Sequence, residues 1–224
     1  MALAEQAATD VEPSLRITEI FRSLQGEAMF VGAPTVFVRL TGCPLRCTYC
    51  DTAYAFSGGA RKSLDAIVAE VQAFGTQYVC VTGGEPLAQP TCELLLTRLC
   101  DAGLSVSIET SGALDVASVD PRVVKVLDLK TPASNEAHRN LWANLDHLTG
   151  QDQIKMVICD RADFDWACAK VREHTLIDLC TVWFSPSHDE LEPGTLADWI
   201  LESGLPVRLQ LQLHKYLWGD VRGR

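Results

Sequence analysis

The sequence is short of positive charge. Against 29 Asp and Glu it carries only 19 Lys and Arg, a formal net charge of −10. Broad binding to nucleic-acid phosphates is therefore not expected, because no cationic excess is there to provide it. Long apolar runs are also missing. None approaches the roughly 18 residues needed to span a bilayer, so no membrane segment is expected. Met1 to Glu12 has neither a basic start nor an apolar core and does not read as a signal peptide. The nine cysteines are odd in number and form no secreted disulfide framework. Six of them (Cys80, Cys92, Cys100, Cys159, Cys168 and Cys180) are scattered, mostly within apolar runs where a thiol acts as a small hydrophobe. A reducing cytoplasm follows as the expected location. Repeats, low-complexity tracts and linkers are absent too. A single domain over 14–224 is expected, with 1–13 as a flexible tail.

What is present is concentrated in one stretch, Gly42-Cys43-Pro44-Leu45-Arg46-Cys47-Thr48-Tyr49-Cys50-Asp51-Thr52. Three cysteines at C-x3-C-x2-C spacing follow the apolar run Val36 to Leu40. They cannot all pair with one another, but they can converge on a metal centre. Structural zinc usually takes four Cys or His ligands, commonly as two separated pairs, and no partner C-x-x-C exists here. Cubane iron–sulfur clusters normally use four cysteines. Three would leave one iron open to a substrate or cofactor.

Around this loop, strands and helices alternate. Strands are predicted at Arg16–Phe21, Thr35–Leu40, Tyr78–Val81, Leu104–Ile108, Val123–Leu129, Ile154–Cys159, Thr181–Phe184 and Val207–Leu213. Helices are predicted after a Ser63 cap (Leu64, Ile67, Val68, Val71 and Phe74 on one face), then at Pro90–Leu99, Glu136–Leu145, Asp163–His174 and Leu196–Leu201. Alternation argues for a parallel sheet. A full eightfold barrel takes about 250 residues, so an open or incomplete barrel is expected from 224. Such folds gather their sites at the C-terminal ends of strands. The polar clusters fall there: the cysteine loop after Leu40, Thr82 to Pro86 after Val81, and Glu109 to Gly112 after Ile108. Lys130-Thr131-Pro132, Ser185 to His188 and His214-Lys215-Tyr216 follow in the same way.

The cysteine spacing, with an aromatic residue before the last cysteine, resembles the signature of the radical S-adenosylmethionine enzymes. Gly83-Gly84-Glu85-Pro86 resembles their GGEP motif. Within that superfamily the chain is similar to the 7-carboxy-7-deazaguanine synthases. Phe21 to Glu27, Val38 to Cys43, Cys50-Asp51-Thr52, Ile108 to Gly112, Asp128 to Pro132 and Leu211 to Lys215 carry this likeness, which spans about residues 16–217. Ala28 stands where the family run has Gly, and Leu213 where Thr is expected.

The resemblance implies an incomplete (β/α) barrel of the radical SAM type with a mostly parallel sheet. It implies a lyase that contracts the ring of 6-carboxy-5,6,7,8-tetrahydropterin to 7-carboxy-7-deazaguanine, releasing ammonia, on the path to queuosine and other deazapurines. Cys43, Cys47 and Cys50 would hold a 4Fe-4S cluster. Tyr49, Gly84, Glu109, Asp128, Lys130, Ser185 and His188 would contact S-adenosyl-L-methionine. Leu24, Gln25, Gly26, Arg39, Thr82 and His214 would contact the pterin, and Thr52 would offer its hydroxyl to Mg2+. An electron donor such as flavodoxin or ferredoxin and a homodimer are implied as partners. Plainer readings stand beside these: a buried ion pair for Arg39 and a solvated terminus for His214 and Lys215. The rival functions are a glycyl-radical activase of the same superfamily and a zinc-stabilised binding module.

Anaerobic reconstitution of the wild type should give a brown protein with broad charge-transfer absorption. Cys47→Ala should lose chromophore and turnover together; wild-type iron content in that variant would show that another ligand set holds the metal.

Overall fold

The structure, a computed structural model, describes residues 12–224. Most of the expected tail, 1–13, thus lies outside the described residues. Pro13 itself is tied in, since its carbonyl accepts from the Leu64 backbone N–H at 3.1 Å.

The strands are β1 (Ser14–Leu24), β2 (Pro34–Leu40), β3 (Ala60–Ser63), β4 (Tyr78–Gly83), β5 (Ser105–Thr110), β6 (Val124–Asp128), β7 (Gln153–Ile158), β8 (Thr181–Pro186) and β9 (Arg208–Leu209). They form one open sheet in the order β3-β1-β2-β4-β5-β6-β7-β8-β9. From β2 to β9 every pairing is parallel. At the front, β1 runs antiparallel to both β2 and β3. The expected mostly parallel, incomplete barrel is therefore found. β3 was not expected, because Ala60 to Ser63 is too short and polar to show a strand pattern.

The helices are α1 (Leu64–Ala73), α2 (Cys92–Asp101), α3 (Arg161–Glu173), α4 (Leu176–Leu179), α5 (Pro193–Ser203) and α6 (Leu213–Trp218). Ser63 caps α1 by accepting from the Ala66 N–H, as its sequence suggests. The helix buries Leu64, Ile67 and Val71. The core lies between sheet and helices, with Val36, Val38, Leu40, Val79, Val81, Ile108, Leu127, Ile154, Met156 and Phe184 from the strands. Such near-continuous apolar runs are what strands covered on both faces require.

Two expected elements are different. Glu136–Leu145 is not an α-helix but two short 3-10 turns, Ala137–Arg139 and Trp142–His147. The cause lies in its two asparagines. The Asn140 side chain accepts from the Lys130 N–H and donates to the Lys130 carbonyl. That of Asn144 accepts from the Val116 N–H and donates to the carbonyls of Gly112 and Leu114. These buried tertiary bonds outweigh a weak helical preference. Val207–Leu213 is likewise not a full strand. Only Arg208 and Leu209 pair with β8, and α6 begins at Leu213.

The loop 25–33 between β1 and β2 crosses the mouth of the open sheet. Met29 N–H donates to Gln153 Oε1 of β7 at 2.8 Å, and Ala28 N–H donates to Gln210 Oε1 beyond β9 at 2.6 Å. Ala28 does take the left-handed conformation that Gly favours, with φ 60°. This costs about 1 kcal/mol for an L-residue, and the bond to Gln210 helps hold it there.

Phe184 is fully buried and meets the Phe164 ring edge-on at 5.8 Å. Phe184→Ala should cost about 3–5 kcal/mol, read as a lower urea midpoint with an unchanged slope.

Candidate active site

A cavity of about 630 Å³ opens at the C-terminal ends of the parallel strands. Cys43, Cys47 and Cys50 line it, all with free thiols. So do Tyr49, Thr52, Gly84, Glu109, Asp128, Lys130, Ser185 and His188, and also Leu24, Gln25, Arg39, Thr82 and His214. Gly26 alone of the expected residues does not face it. Its place is structural: its carbonyl accepts from the Leu213 N–H at 3.0 Å, and a Cβ there would lie 2.1 Å from His214 Nδ1.

The cysteine loop is fixed on both sides. Gly42 N–H donates to the Ala55 carbonyl, and Glu85 N–H donates to the Gly42 carbonyl, both at 2.8 Å. Leu45 is buried beneath it. The Arg46 guanidinium donates to the carbonyls of Cys43 and Leu45 and lies 4.2 Å from the Phe56 ring centre. Thr48 Oγ1 donates to the Ala133 carbonyl at 2.7 Å. Burial raises all three thiol pKa values, that of Cys47 to about 11, so metal loading must displace protons.

The glycine pair has a reason beyond access to a ligand. Gly83 packs on the Leu40 backbone, where a Cβ would fall 2.3 Å from its carbonyl oxygen, with φ +147°. At Gly84 a Cβ would lie 2.1 Å from the Gly42 oxygen and 3.0 Å from Cys43 Cβ. The GG step thus seats β4 against the cysteine loop. Glu85, fully buried, clips β4 to β5: its carboxylate accepts from Thr110 Oγ1 at 2.9 Å and Ser111 N–H at 2.7 Å.

Charges alternate along the cavity wall. Gln212 Nε2 donates to Glu27 Oε1 at 2.9 Å, and Lys155 Nζ to Glu27 Oε2 at 2.7 Å. Lys155 also stands 3.3 Å from Asp128 Oδ2, and Lys130 Nζ 3.1 Å from Asp128 Oδ1. Burial works against every one of these charges, but opposite neighbours prevail. Glu27 and Asp128 are held below the usual carboxylate range, and Lys155 and Lys130 above the usual ammonium one. Glu109 goes the other way. Burial, then the Glu27 charge, raises it, although Lys155, Thr82 and Arg39 oppose the rise. Thr82 Oγ1 donates to it at 3.1 Å, so Glu109 sits between the residues expected at cofactor and substrate.

Lys155, Asp51, Tyr54 and Gln212, to which sequence reading gave no role, also line the cavity, as does Glu27, read only as part of the Leu24-Gln25-Gly26-Glu27 run. Lys155 had a signal: a lone charge inside the apolar strand Gln153 to Ile158. His214 and Lys215 are no solvated terminus. His214 packs on Gly26, and Lys215, only 9% exposed, pairs with Asp51 at 3.2 Å. Asp51 falls to about 2: burial opposes this, but the Thr52 hydroxyl and Lys215 outweigh it.

The site fits an iron–sulfur cluster with a bound polar cofactor. Three free thiols share one wall, yet among the described residues no three His, Cys, Asp or Glu side chains meet at single-ion spacing. Beside them the buried Tyr49 hydroxyl has no hydrogen-bond partner among the described residues, and Asp128 Oδ1 has only the ion-pair contact with Lys130. Buried polar atoms normally have partners, and a cofactor with an ammonium, a carboxylate and ribose hydroxyls supplies them.

The family model described as the radical SAM superfamily matches residues 37–177. The 7-carboxy-7-deazaguanine synthase of Chlorobaculum tepidum is 44% identical over 216 residues, covering 95% of this chain and 98% of that one. That of Koribacter versatilis is 47% identical over 220 residues, covering 91% and 97%. The chain belongs to the 7-carboxy-7-deazaguanine synthase family of radical SAM enzymes. A crystal structure of QueE from Escherichia coli shares the fold, with a TM-score of 0.75 at 24% identity over 90% of this chain and 95% of that one. The family's 4Fe-4S cluster and S-adenosylmethionine are therefore the cofactors of this chain.

Gly84→Ala should push the cysteine loop away and sharply lower iron per chain after reconstitution, with far-ultraviolet circular dichroism unchanged. Gly150→Ala, with no atom within 4 Å of the added methyl, is the control that keeps its iron. Full iron loading in Gly84→Ala would show that the close approach does not govern the cluster.

Proposed function

We propose that this chain is a 7-carboxy-7-deazaguanine synthase, acting on 6-carboxy-5,6,7,8-tetrahydropterin and releasing ammonia. The observation that carries this is the meeting, in one cavity, of three free thiols with a wall of charged groups suited to a polar bicyclic acid. Cys43, Cys47 and Cys50 would hold the cluster. When bound, cluster and S-adenosylmethionine supply the one-electron chemistry that starts the radical reaction.

The chain's own groups position and insulate. Tyr49, Gly84, Asp128, Lys130, Ser185 and His188 bound the cofactor side. The orphaned Tyr49 hydroxyl and Asp128 oxygen offer a donor and an acceptor there. Leu24, Gln25, Arg39, Thr82 and His214 bound the pterin side, with Gly26 seating His214. Arg39 presents a planar fork to the substrate carboxylate. Glu109, whose carboxyl is raised by burial and then by the Glu27 charge, accepts from Thr82 Oγ1 at 3.1 Å between the two sides. Thr52 donates its hydroxyl hydrogen to Asp51 Oδ1 at 2.7 Å. Its oxygen lone pairs stay free for a hard cation such as Mg2+, which prefers oxygen ligands and keeps part of its shell for substrate and water. Among the described residues no helix is long and apolar enough to cross a membrane. A single cytoplasmic domain, active as a homodimer and reduced by flavodoxin or ferredoxin, completes this reading.

Reconstituted, reduced protein given S-adenosylmethionine, the carboxytetrahydropterin and Mg2+ should form carboxydeazaguanine, detected by mass. An intact cluster that cleaves S-adenosylmethionine but yields no such product would overturn the substrate assignment and leave the superfamily in place.

A further inference from the structure

Arg39 is held in an unusual way. Its Nε donates to Glu19 Oε1 at 2.7 Å, and among the described residues neither terminal nitrogen makes a hydrogen bond. Nor is either sealed from solvent, since no Arg39 nitrogen is among the buried unpartnered atoms. The side chain lines the cavity while Glu19 does not. Glu19 therefore approaches from behind.

Two further features fix this pose. The ladder between β1 and β2 slips between Ile17 and Glu19, which puts Glu19 directly opposite Arg39. Such irregularities re-aim side chains beside active sites. Tyr54 then locks the carboxylate, its hydroxyl donating to the same Glu19 oxygen at 2.8 Å. Burial and the Glu19 carboxylate push Tyr54 up to about 12 against the pull of Arg39, so that hydrogen stays in place. The guanidinium carbon lies 5.9 Å from both the Phe21 and Tyr54 ring centres, which restricts the guanidinium further.

We propose that Glu19 and Tyr54 are positioning residues that turn the two terminal nitrogens of Arg39 into the cavity as a bidentate carboxylate receptor. This deepens the proposed function and rests on its pterin carboxylate. The bulge, the carboxylate and the phenol together convert an ordinary cross-strand ion pair into an Arg with its Nε edge occupied and its other edge free. A substrate carboxylate then meets a fork whose plane is already set, and a pterin without that carboxylate gains nothing from it.

The sign of one substitution separates positioning from simple electrostatics. Glu19→Leu removes a negative charge next to the receptor. Charge alone would make an anionic ligand bind more tightly, whereas lost positioning makes it bind more weakly. The probes are 6-carboxypterin and unsubstituted pterin, both titrated by fluorescence into reconstituted enzyme with S-adenosylmethionine. Wild type should prefer the carboxylated ligand by about tenfold or more, the scale of a charge-assisted bidentate pair. Glu19→Leu should lose most of that preference, Tyr54→Phe part of it, and Glu19→Gln, which keeps an acceptor, should restore much of it. S-adenosylmethionine affinity and iron content should not change. If Glu19→Leu fails to fold, Tyr54→Phe carries the same sign alone. Unchanged or tighter binding of 6-carboxypterin in the folded variants overturns the proposal. A wild type that does not distinguish the two ligands overturns the Arg39 receptor as well. If product still forms there, the enzyme assignment survives without it.

Discussion

One buried carboxylate holds the site together. Glu27 sits on the loop between the first two strands, yet its partners come from the far side of the sheet. Lys155 of β7, Gln210 and Gln212 all donate to it. An open sheet has no reason to enclose a cavity. Here the enclosure comes from a loop that crosses the opening and is fastened by these donors. Removing one member of a buried ion pair typically costs about 3–5 kcal/mol, because it strands the other charge. The net worth of the pair is smaller. Its main effect is to select one closed arrangement over the many that an open sheet allows.

The same logic extends along the wall. Glu27, Lys155, Asp128 and Lys130 alternate in sign, so each charge is compensated by a neighbour and none depends on a ligand for its state. Glu109 lies outside this chain of pairs, and its carboxyl shifts toward the neutral form. A cavity whose wall carries fixed, mutually paired charges is suited to placing a polar molecule in one orientation. The cysteine loop, meanwhile, gains its shape from backbone contacts that leave no room for a side chain at Gly83 or Gly84. Metal site and charged wall are thus built by different means and meet at Tyr49 and Lys130, whose ammonium stands 6.0 Å from the tyrosine ring centre.

Much of this was legible in the residues. The parallel sheet can be read from the alternation of strand and helix patterns, and strand-end geometry points to the rim. What escaped was whatever depended on partners distant in the chain. Asn140 and Asn144 look like helix surface, but they bond buried backbone elsewhere and break the helix. Gln210 and Gln212 look like the polar face of a strand, but their side chains serve Glu27, and pairing stops after Leu209. Lys155 was visible as an oddity, a charge in a buried strand, without any clue to its two carboxylates. Glu19 and Tyr54 gave no sign at all, since a one-residue slip in a ladder cannot be seen in an alternating pattern. Apart from Gly26, the residues assigned to cluster, cofactor and substrate line the cavity because motif positions follow strand ends; the groups that support them follow side-chain reach.

The fastening of the loop at 25–33 also has a consequence for biosynthesis. Ala28 and its partner Gln210 are 182 positions apart, and Glu27 and Lys155 are 128 apart. At about 5–20 residues per second of translation, roughly 9–36 s separate the emergence of Ala28 and Gln210 from the ribosome. Through that interval the nascent chain displays its cysteines on a loop with no enclosing wall. Enclosure of the cavity is accordingly a late event, complete only once the far end of the sheet has been made.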